Sequence, residues 1–221
     1  MSTRFRLKDR TEAANQLLKK LSKFKGQCPL VLGIPRGAMP MAQIIANGLN
    51  GELNAILIRK IPAPFFKELA VGAVGLSGHI LKLPLAMVYE IPDSYIHEEA
   101  KRQIQILRKR KEQFNLPELN CKDRTVIVVD DGIATGATAL GAIHDVMAQK
   151  PAKIILAAGV VARSTADQIR KRVDELVVLA EPEEFGSVSE FFSDFSEVTD
   201  EQIFKLLKRQ SLPPGLPESS I

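Results

Sequence analysis

The chain has 221 residues, of which 45% are hydrophobic and 25% charged, with a net charge of +4; these are the proportions of a globular domain with one sizeable core. No apolar run nears the roughly 18 residues that span a bilayer, and Met1–Arg10 is charged and lacks the apolar stretch of a secretory signal, so the expectation is a cytoplasmic protein without membrane contact. The mild positive excess suits an anionic substrate but is too small for a nucleic-acid binder, and 5% aromatic residues with no Trp exclude a stacking platform for single strands.

In chain order, Asp9 and Glu12 read as a capping box that opens a helix. Leu17, Leu18, Leu21 and Phe24 follow helical spacing, and Gly26 stops it. Pro29–Ile34 is an apolar run read as a strand, followed by the turn Gly33-Ile34-Pro35-Arg36-Gly37 and a helix over Met39–Leu49. Leu53–Ile58 reads as a second strand ending in Arg59-Lys60, and Ile61–Glu68, with two prolines and two phenylalanines, as an irregular loop. Val71–Leu76, His79–Leu83 and Ala86–Glu90 read as short strands of a small antiparallel excursion.

Ser94 is placed as the cap of a long helix to Phe114, with Ile96, Ala100, Ile104 and Leu107 along one face. Its basic stretch Lys101–Lys111 lies among Glu98, Glu99 and Glu112 and reads as a solvated face. Thr125–Val129 is nearly all β-branched, the pattern of a strand buried on both sides. A helix over Thr138–Gln149, a strand over Lys153–Val161, a helix capped by Ser164 and Asp167 running to Val173, and a strand over Leu176–Ala180 follow. Thr199 and Gln202 cap a terminal helix. The tail from Ser211 is proline-rich and read as disordered. Cys28 and Cys121 form no CxxC pair and read as free thiols.

Strands alternating with helices imply an α/β fold, a mostly parallel central sheet flanked by helices, with right-handed crossovers and ligands at the carboxyl ends of the strands. One motif falls there with particular force. Val126–Val129 delivers two carboxylates, Asp130 and Asp131, and then the small-residue loop Gly132-Ile133-Ala134-Thr135-Gly136-Ala137-Thr138 leads into a helix. Small residues let a ligand approach the backbone. Successive amides at a helix start form an anion cradle, to which Thr135 and Thr138 add hydroxyls. The two carboxylates suit vicinal hydroxyls of a ribose, or the waters of a magnesium ion. Neither GK[ST] nor GxGxxG is present. An unliganded Asp-Gly turn would use some of the same residues but gives no reason for the paired carboxylates.

Asp130–Thr138 resembles the phosphoribosyl diphosphate signature of the type I phosphoribosyltransferases. Further similarities are "LGIPRG" at residues 32–37, "RK" at 59–60, "AVGAV" at 70–74, and the ending "EPEEFGSV" with "FFSDFSEVTDEQI". Together these cover about residues 5–208 and resemble a bacterial subgroup of uncharacterised phosphoribosyltransferases. Ala137 stands where many members have a second Gly, a difference that matters only if positive φ is required.

The resemblance implies one domain over residues 1–210, with a flexible loop at about 60–85 and a hood at about 181–196. It implies that Ala134, Thr135, Gly136, Ala137 and Thr138 hold the 5-phosphate, and that Asp130 and Asp131 hold the ribose hydroxyls. Pro35, Arg36 and Gly37 would form the diphosphate loop, often seen with a strained or cis peptide, with Arg36 supplying charged donors. Lys60 is the better of the two cations at the covering loop, and Phe185 of the hood would stack on a base. The implied activity is transfer of 5-phosphoribosyl from its diphosphate to a purine- or pyrimidine-like base, with magnesium as cofactor and a homodimer as the assembly. Asp130 and Asp131 are both assigned to catalysis and, through water, to the metal; the sequence does not choose between them.

Rival readings are a non-catalytic regulator that binds the donor or a nucleotide, a donor hydrolase, and nucleic-acid binding through Lys101–Lys111. Other chemistry is excluded: Gly75–His79 misses GxSxG by one position, and His79, His97 and His144 lack metal-ligand spacing.

Overall fold

The computed structural model describes residues 5–210; the expected disordered tail lies outside these residues. Helix α1 (Arg10–Lys20) leads through a 3-10 turn to β1 (Leu30–Gly33), α2 (Met39–Leu49) and β2 (Glu52–Ala55). Strands β3 (Ile58–Pro62), β4 (Ala70–Gly75) and β5 (Ile80–Lys82) follow, then helices α3 (Pro84–Val88) and α4 (Asp93–Gln113). The remainder is β6 (Thr125–Ile133), α5 (Ala137–Met147), β7 (Lys153–Val161), α6 (Arg163–Arg170), β8 (Glu175–Ala180), a second 3-10 turn at Val188–Phe191, and α7 (Asp200–Gln210).

The central sheet has the order β2-β1-β6-β7-β8 and is parallel throughout. Its inner strands β1, β6 and β7 are buried on both faces, which is why they read as unbroken apolar runs. Side chains alternate across the sheet. Ile127 and Val129 join the core beneath α1 and α2, while Val126 and Val128 join Leu140, Ile143 and Val146 of α5 on the opposite side. β3, β4 and β5 form a separate antiparallel sheet, the expected excursion, packed on α4 and α5 around Ile61, Val71 and Val74. Both cysteines are free thiols, Cys121 buried and Cys28 exposed.

Several expected boundaries change for physical reasons. The apolar run after Glu52 is two strands, not one. It leaves the parallel sheet where β1 ends, with the Ile56 amide donating to the Gly33 carbonyl at 3.0 Å, and resumes as β3 in the second sheet. Arg59 and Lys60 therefore lie within an antiparallel strand. Ala86–Glu90 is not a strand: Pro84 stands at the first turn of α3, where its fixed φ starts a helix. Neither Ser94 nor Ser164 is a cap; the N-cap positions are Pro92 and Ala162. At α6 the Arg163 amide donates to the Pro182 carbonyl at 3.1 Å, a tertiary partner that replaces a local one. Two other capping residues behave as read. The Glu12 amide donates to Asp9 Oδ1 at 2.8 Å, and Thr199 and Gln202 bond reciprocally at 2.8 and 3.2 Å.

Candidate functional site

The strand order makes the chain turn one way from β1 to β2 and the other way from β6 to β7 and β8. A crevice opens at such a switch point, outside the carboxyl ends of β1 and β6. The two motifs singled out in the sequence sit on those two ends: residues 33–38 after β1, and Asp130–Thr138 at the end of β6.

β6 runs four residues further than its β-branched core, pairing Asp130 with Ala158 and Ile133 with Val161. The two aspartates are thus successive residues of an extended strand and leave it on opposite faces. Asp130 is half-buried, and its Oδ1 accepts the Asp131 amide at 2.9 Å. Burial, and then the negative charge of Asp131, push its carboxyl well above the ordinary range. Asp131 is buried on the α1 face, where Oδ2 takes the Arg10 Nε–H at 2.8 Å. The sequence reading leaves both carboxylates free for a ligand; the structure gives one oxygen of Asp131 to an internal cation.

The loop beyond is built for close approach. Gly136 has φ +78° and caps α5 without any side-chain bond, so the first amides of α5 have no intrahelical acceptor and face outward. Ala137 opens the helix and is not among the positive-φ residues, so its departure from the signature carries no strain. A Cβ at Gly136 would lie 2.5 Å from Thr165 Cγ2. Thr165, unmarked in the sequence, donates its hydroxyl to the Ala134 carbonyl at 2.6 Å and fixes the loop from α6. Thr135 is exposed and Thr138 half-buried.

The loop after β1 carries a cis peptide between Pro35 and Arg36. Gly37 packs so closely on the acidic strand that a Cβ there would overlap Asp131 Oδ2 and lie 3.0 Å from Arg10 Nη2. Arg36 extends to Glu197, with Asp200 at 3.9 Å from its other terminal nitrogen. Arg36 also lines a cavity of about 420 Å³ with Pro35, Arg59 and Arg110. Lys60 is exposed and lines a neighbouring cavity of about 500 Å³ with Arg59, Lys67 and Thr138. Arg59 borders both, its Nε–H donating to Gln103. Arg110, which α4 brings to the first of these cavities from 50 residues beyond Lys60, is paired with Asp200 at 2.6 Å, and nothing local in the sequence marks it as a lining residue.

The segment expected to form a hood folds back on residues 7 and 8. The Leu7 amide donates to the Phe191 carbonyl, and the Ser193 and Asp194 amides donate to the Leu7 and Lys8 carbonyls, each at 2.8 Å. The Val188–Phe191 turn lies against β6, where a Cβ on Gly132 would overlap Val188. Phe185 is half-buried with its ring centroid 5.1 Å from that of Phe191. Arg10 arrives at Asp131 through this fold-back. Its only local signal is a cation in the first turn of a helix, the end where the dipole disfavours positive charge.

For magnesium the donor set is small. Among the described residues no group of three or more His, Cys, Asp or Glu could hold a metal. Two carboxylates, one already paired with Arg10, fit a hydrated ion that keeps its waters and shares a ligand's phosphate oxygens, not an all-protein cage. Among the described residues no helix is long and apolar enough to cross a membrane.

A family model described as "Phosphoribosyl transferase domain" matches residues 6–195. The Mycobacterium tuberculosis protein named "Putative phosphoribosyl transferase Rv0571c" is 31% identical over 204 residues, 91% of this chain and 46% of that protein. A second M. tuberculosis sequence, "Putative phosphoribosyl transferase MT0597", matches to the same extent. The chain spans about half the length of these curated relatives. Among solved structures, the crystal structure of TT1426 from Thermus thermophilus is similar with a TM-score of 0.82 and 37% identity, covering 93% of this chain and 99% of that one.

Proposed function

Since this chain belongs to the phosphoribosyl transferase domain family, we propose that it transfers a 5-phosphoribosyl group from phosphoribosyl diphosphate to a nitrogen of a purine- or pyrimidine-like base. One observation carries the reading. The loop after β1 and the acidic end of β6, remote in sequence, meet with Gly37 against Asp131 at the switch point of the sheet. A sugar phosphate that bears a diphosphate needs both elements side by side.

In this reading the amides and hydroxyls of Ala134–Thr138 hold the 5-phosphate at the start of α5. Asp130 and Asp131 accept the ribose hydroxyls. The loop Pro35–Gly37 meets the diphosphate with backbone amides and with the Arg36 guanidinium, released from Glu197, while Lys60 approaches from β3. Positive charge grows on the ribose as the diphosphate departs. Carboxylates held on β6 steady the first, and Arg36 and Lys60 brought onto the diphosphate steady the second, so most of the rate comes from positioning and charge placement. No side chain acts as a covalent nucleophile. A hydrated magnesium ion, held through water by Asp130 and Asp131, would add positive charge beside the leaving group. Phe185 is the ring offered to the base.

Two free thiols support a reducing, cytoplasmic setting. The proposed homodimer rests on the family resemblance and is read by light scattering. Calorimetry with phosphoribosyl diphosphate and magnesium, followed by a panel of purines and pyrimidines with diphosphate release as readout, tests the activity. Release with one class of base supports transfer. Donor binding without release from any base would make the chain a regulator, and base-independent release a hydrolase; either would overturn the proposal.

A further inference from the structure

We infer that Arg10 is a positioning residue of the donor site, the tie that holds the acidic strand end and the loop after β1 at a fixed spacing. The inference rests on the proposed function and goes beyond it, since Arg10 belongs to neither motif.

Three groups converge at one point. Arg10 Nε lies 2.8 Å from Asp131 Oδ2, and Nη2 lies 3.0 Å from where a Gly37 Cβ would stand. Asp131 Oδ2 itself occupies the remaining space beside Gly37. The guanidinium is held in turn on its far side. Nη1 donates to the Ser196 carbonyl at 2.7 Å, and the carbon of the guanidinium lies 3.8 Å from the centre of the Phe195 ring. A planar cation held by a ring and a carbonyl can fix a carboxylate in one orientation, which a lysine could not do as well.

A staple for the N-terminal segment would be the simpler explanation, but the fold does not need one there. Three backbone bonds already fasten residues 7 and 8 to residues 191–194, and Arg6 donates to the Phe192 carbonyl. Holding a chain end with a nearly buried ion pair is also a poor way to stabilise it, because desolvation offsets most of the attraction. Orientation of a functional carboxylate is what such a pair does well. With Asp131 turned toward Gly37, the ribose side and the diphosphate side of the site become one rigid unit. A ligand that spans both sides should feel the tie, while a ligand that uses one side should not.

The test compares phosphoribosyl diphosphate with inorganic diphosphate by calorimetry on the full chain. Arg10→Gln removes charge-assisted bonds, each of which is worth about tenfold or more. The expected result is an affinity for phosphoribosyl diphosphate lowered about tenfold, with inorganic diphosphate changed less than about twofold. In an Asp131→Asn background the same substitution should add nothing, as for residues that act through one another. Arg10→Lys, which keeps the charge but not the fork, should fall between, and it serves if Arg10→Gln fails to fold by circular dichroism. Equal losses for both ligands, or additive losses in the Asp131→Asn background, would overturn the inference while leaving the proposed function standing. A wild-type chain that binds no phosphoribosyl diphosphate removes the proposed function and, with it, this inference.

Discussion

At the carboxyl edge of the parallel sheet, Gly37 and Gly132 have no room for a Cβ, Asp131 is paired with a clamped guanidinium, and Ala134 is tied from a neighbouring helix. The antiparallel excursion is close-packed on its inner side, where a Cβ on Gly75 would overlap Asp145, and open on its outer side. Phe65 and Phe66 in its connecting loop are 60% and 57% exposed, Met87 of α3 is also exposed, and Gly78 at its tip has nothing within 4 Å of a Cβ position. The first region spends its residues on fixed geometry around a point. The second anchors itself through α5, where buried Asp145 accepts the Ser77 hydroxyl, and leaves its outer surface uncovered. Preorganisation belongs where charge must be stabilised during a reaction, and the difference between the regions says where substitutions should cost function.

The largest expected effect falls on the carboxyl edge. Asp130→Asn with Asp131→Asn should lower diphosphate release by about a hundredfold or more while far-ultraviolet circular dichroism stays unchanged. Wild-type kinetics in that double variant would erase the contrast between the regions. Next, a matched pair of glycine substitutions sharpens it. Gly37→Ala should cost about 1–3 kcal/mol by overpacking and about tenfold in donor affinity, because one of its neighbours is Asp131. Gly78→Ala, at φ +82° in open space, should cost about 1–2 kcal/mol through backbone strain alone and leave donor affinity intact. Denaturant titration and calorimetry separate the two.

A third expectation concerns pH. Asp130 holds its proton in the folded chain to a higher pH than in the unfolded chain, where its ordinary value is 3.8. The stability this group contributes is complete below that value and falls as pH rises from it toward the folded one. Above the ordinary value the raised titration of this carboxyl is a net cost to folding, so Asp130→Asn should raise the unfolding temperature at about pH 7 and not at about pH 3. A fall at pH 7 would show that the carboxylate is stabilised in place. The smallest effect is in the excursion: Phe66→Ser should change stability by less than about 0.5 kcal/mol.

Local chemistry made much of this molecule legible. The β-branched run at Thr125–Val129, the helix over residues 39–49, the helix expected over 138–149 and found over 137–147, and the capping residues Asp9 and Thr199 follow from periodicity and local hydrogen bonding, which neighbours in sequence settle among themselves. The Asp130–Thr138 loop announced itself because a phosphate cradle needs small residues in immediate succession. Ala86–Glu90 became helical because of its own neighbour Pro84, but most other departures from the expected elements were decided by a distant partner. The split of residues 52–62 into strands of two sheets depended on where β1 ends. The cap of α6 came from Pro182, and the cations at the crevice include Arg110 from a helix whose basic residues look like an ordinary solvated face.

The sequence by itself determined the α/β class, the parallel core and the acidic strand end, because each is written in adjacent residues. The tertiary structure alone decided that Asp130 and Asp131 are unequal. Partial burial beside the charge of Asp131 acts on Asp130, while Asp131 is buried against a guanidinium on the other face, and no spacing along the chain encodes which side of a sheet a remote cation will reach.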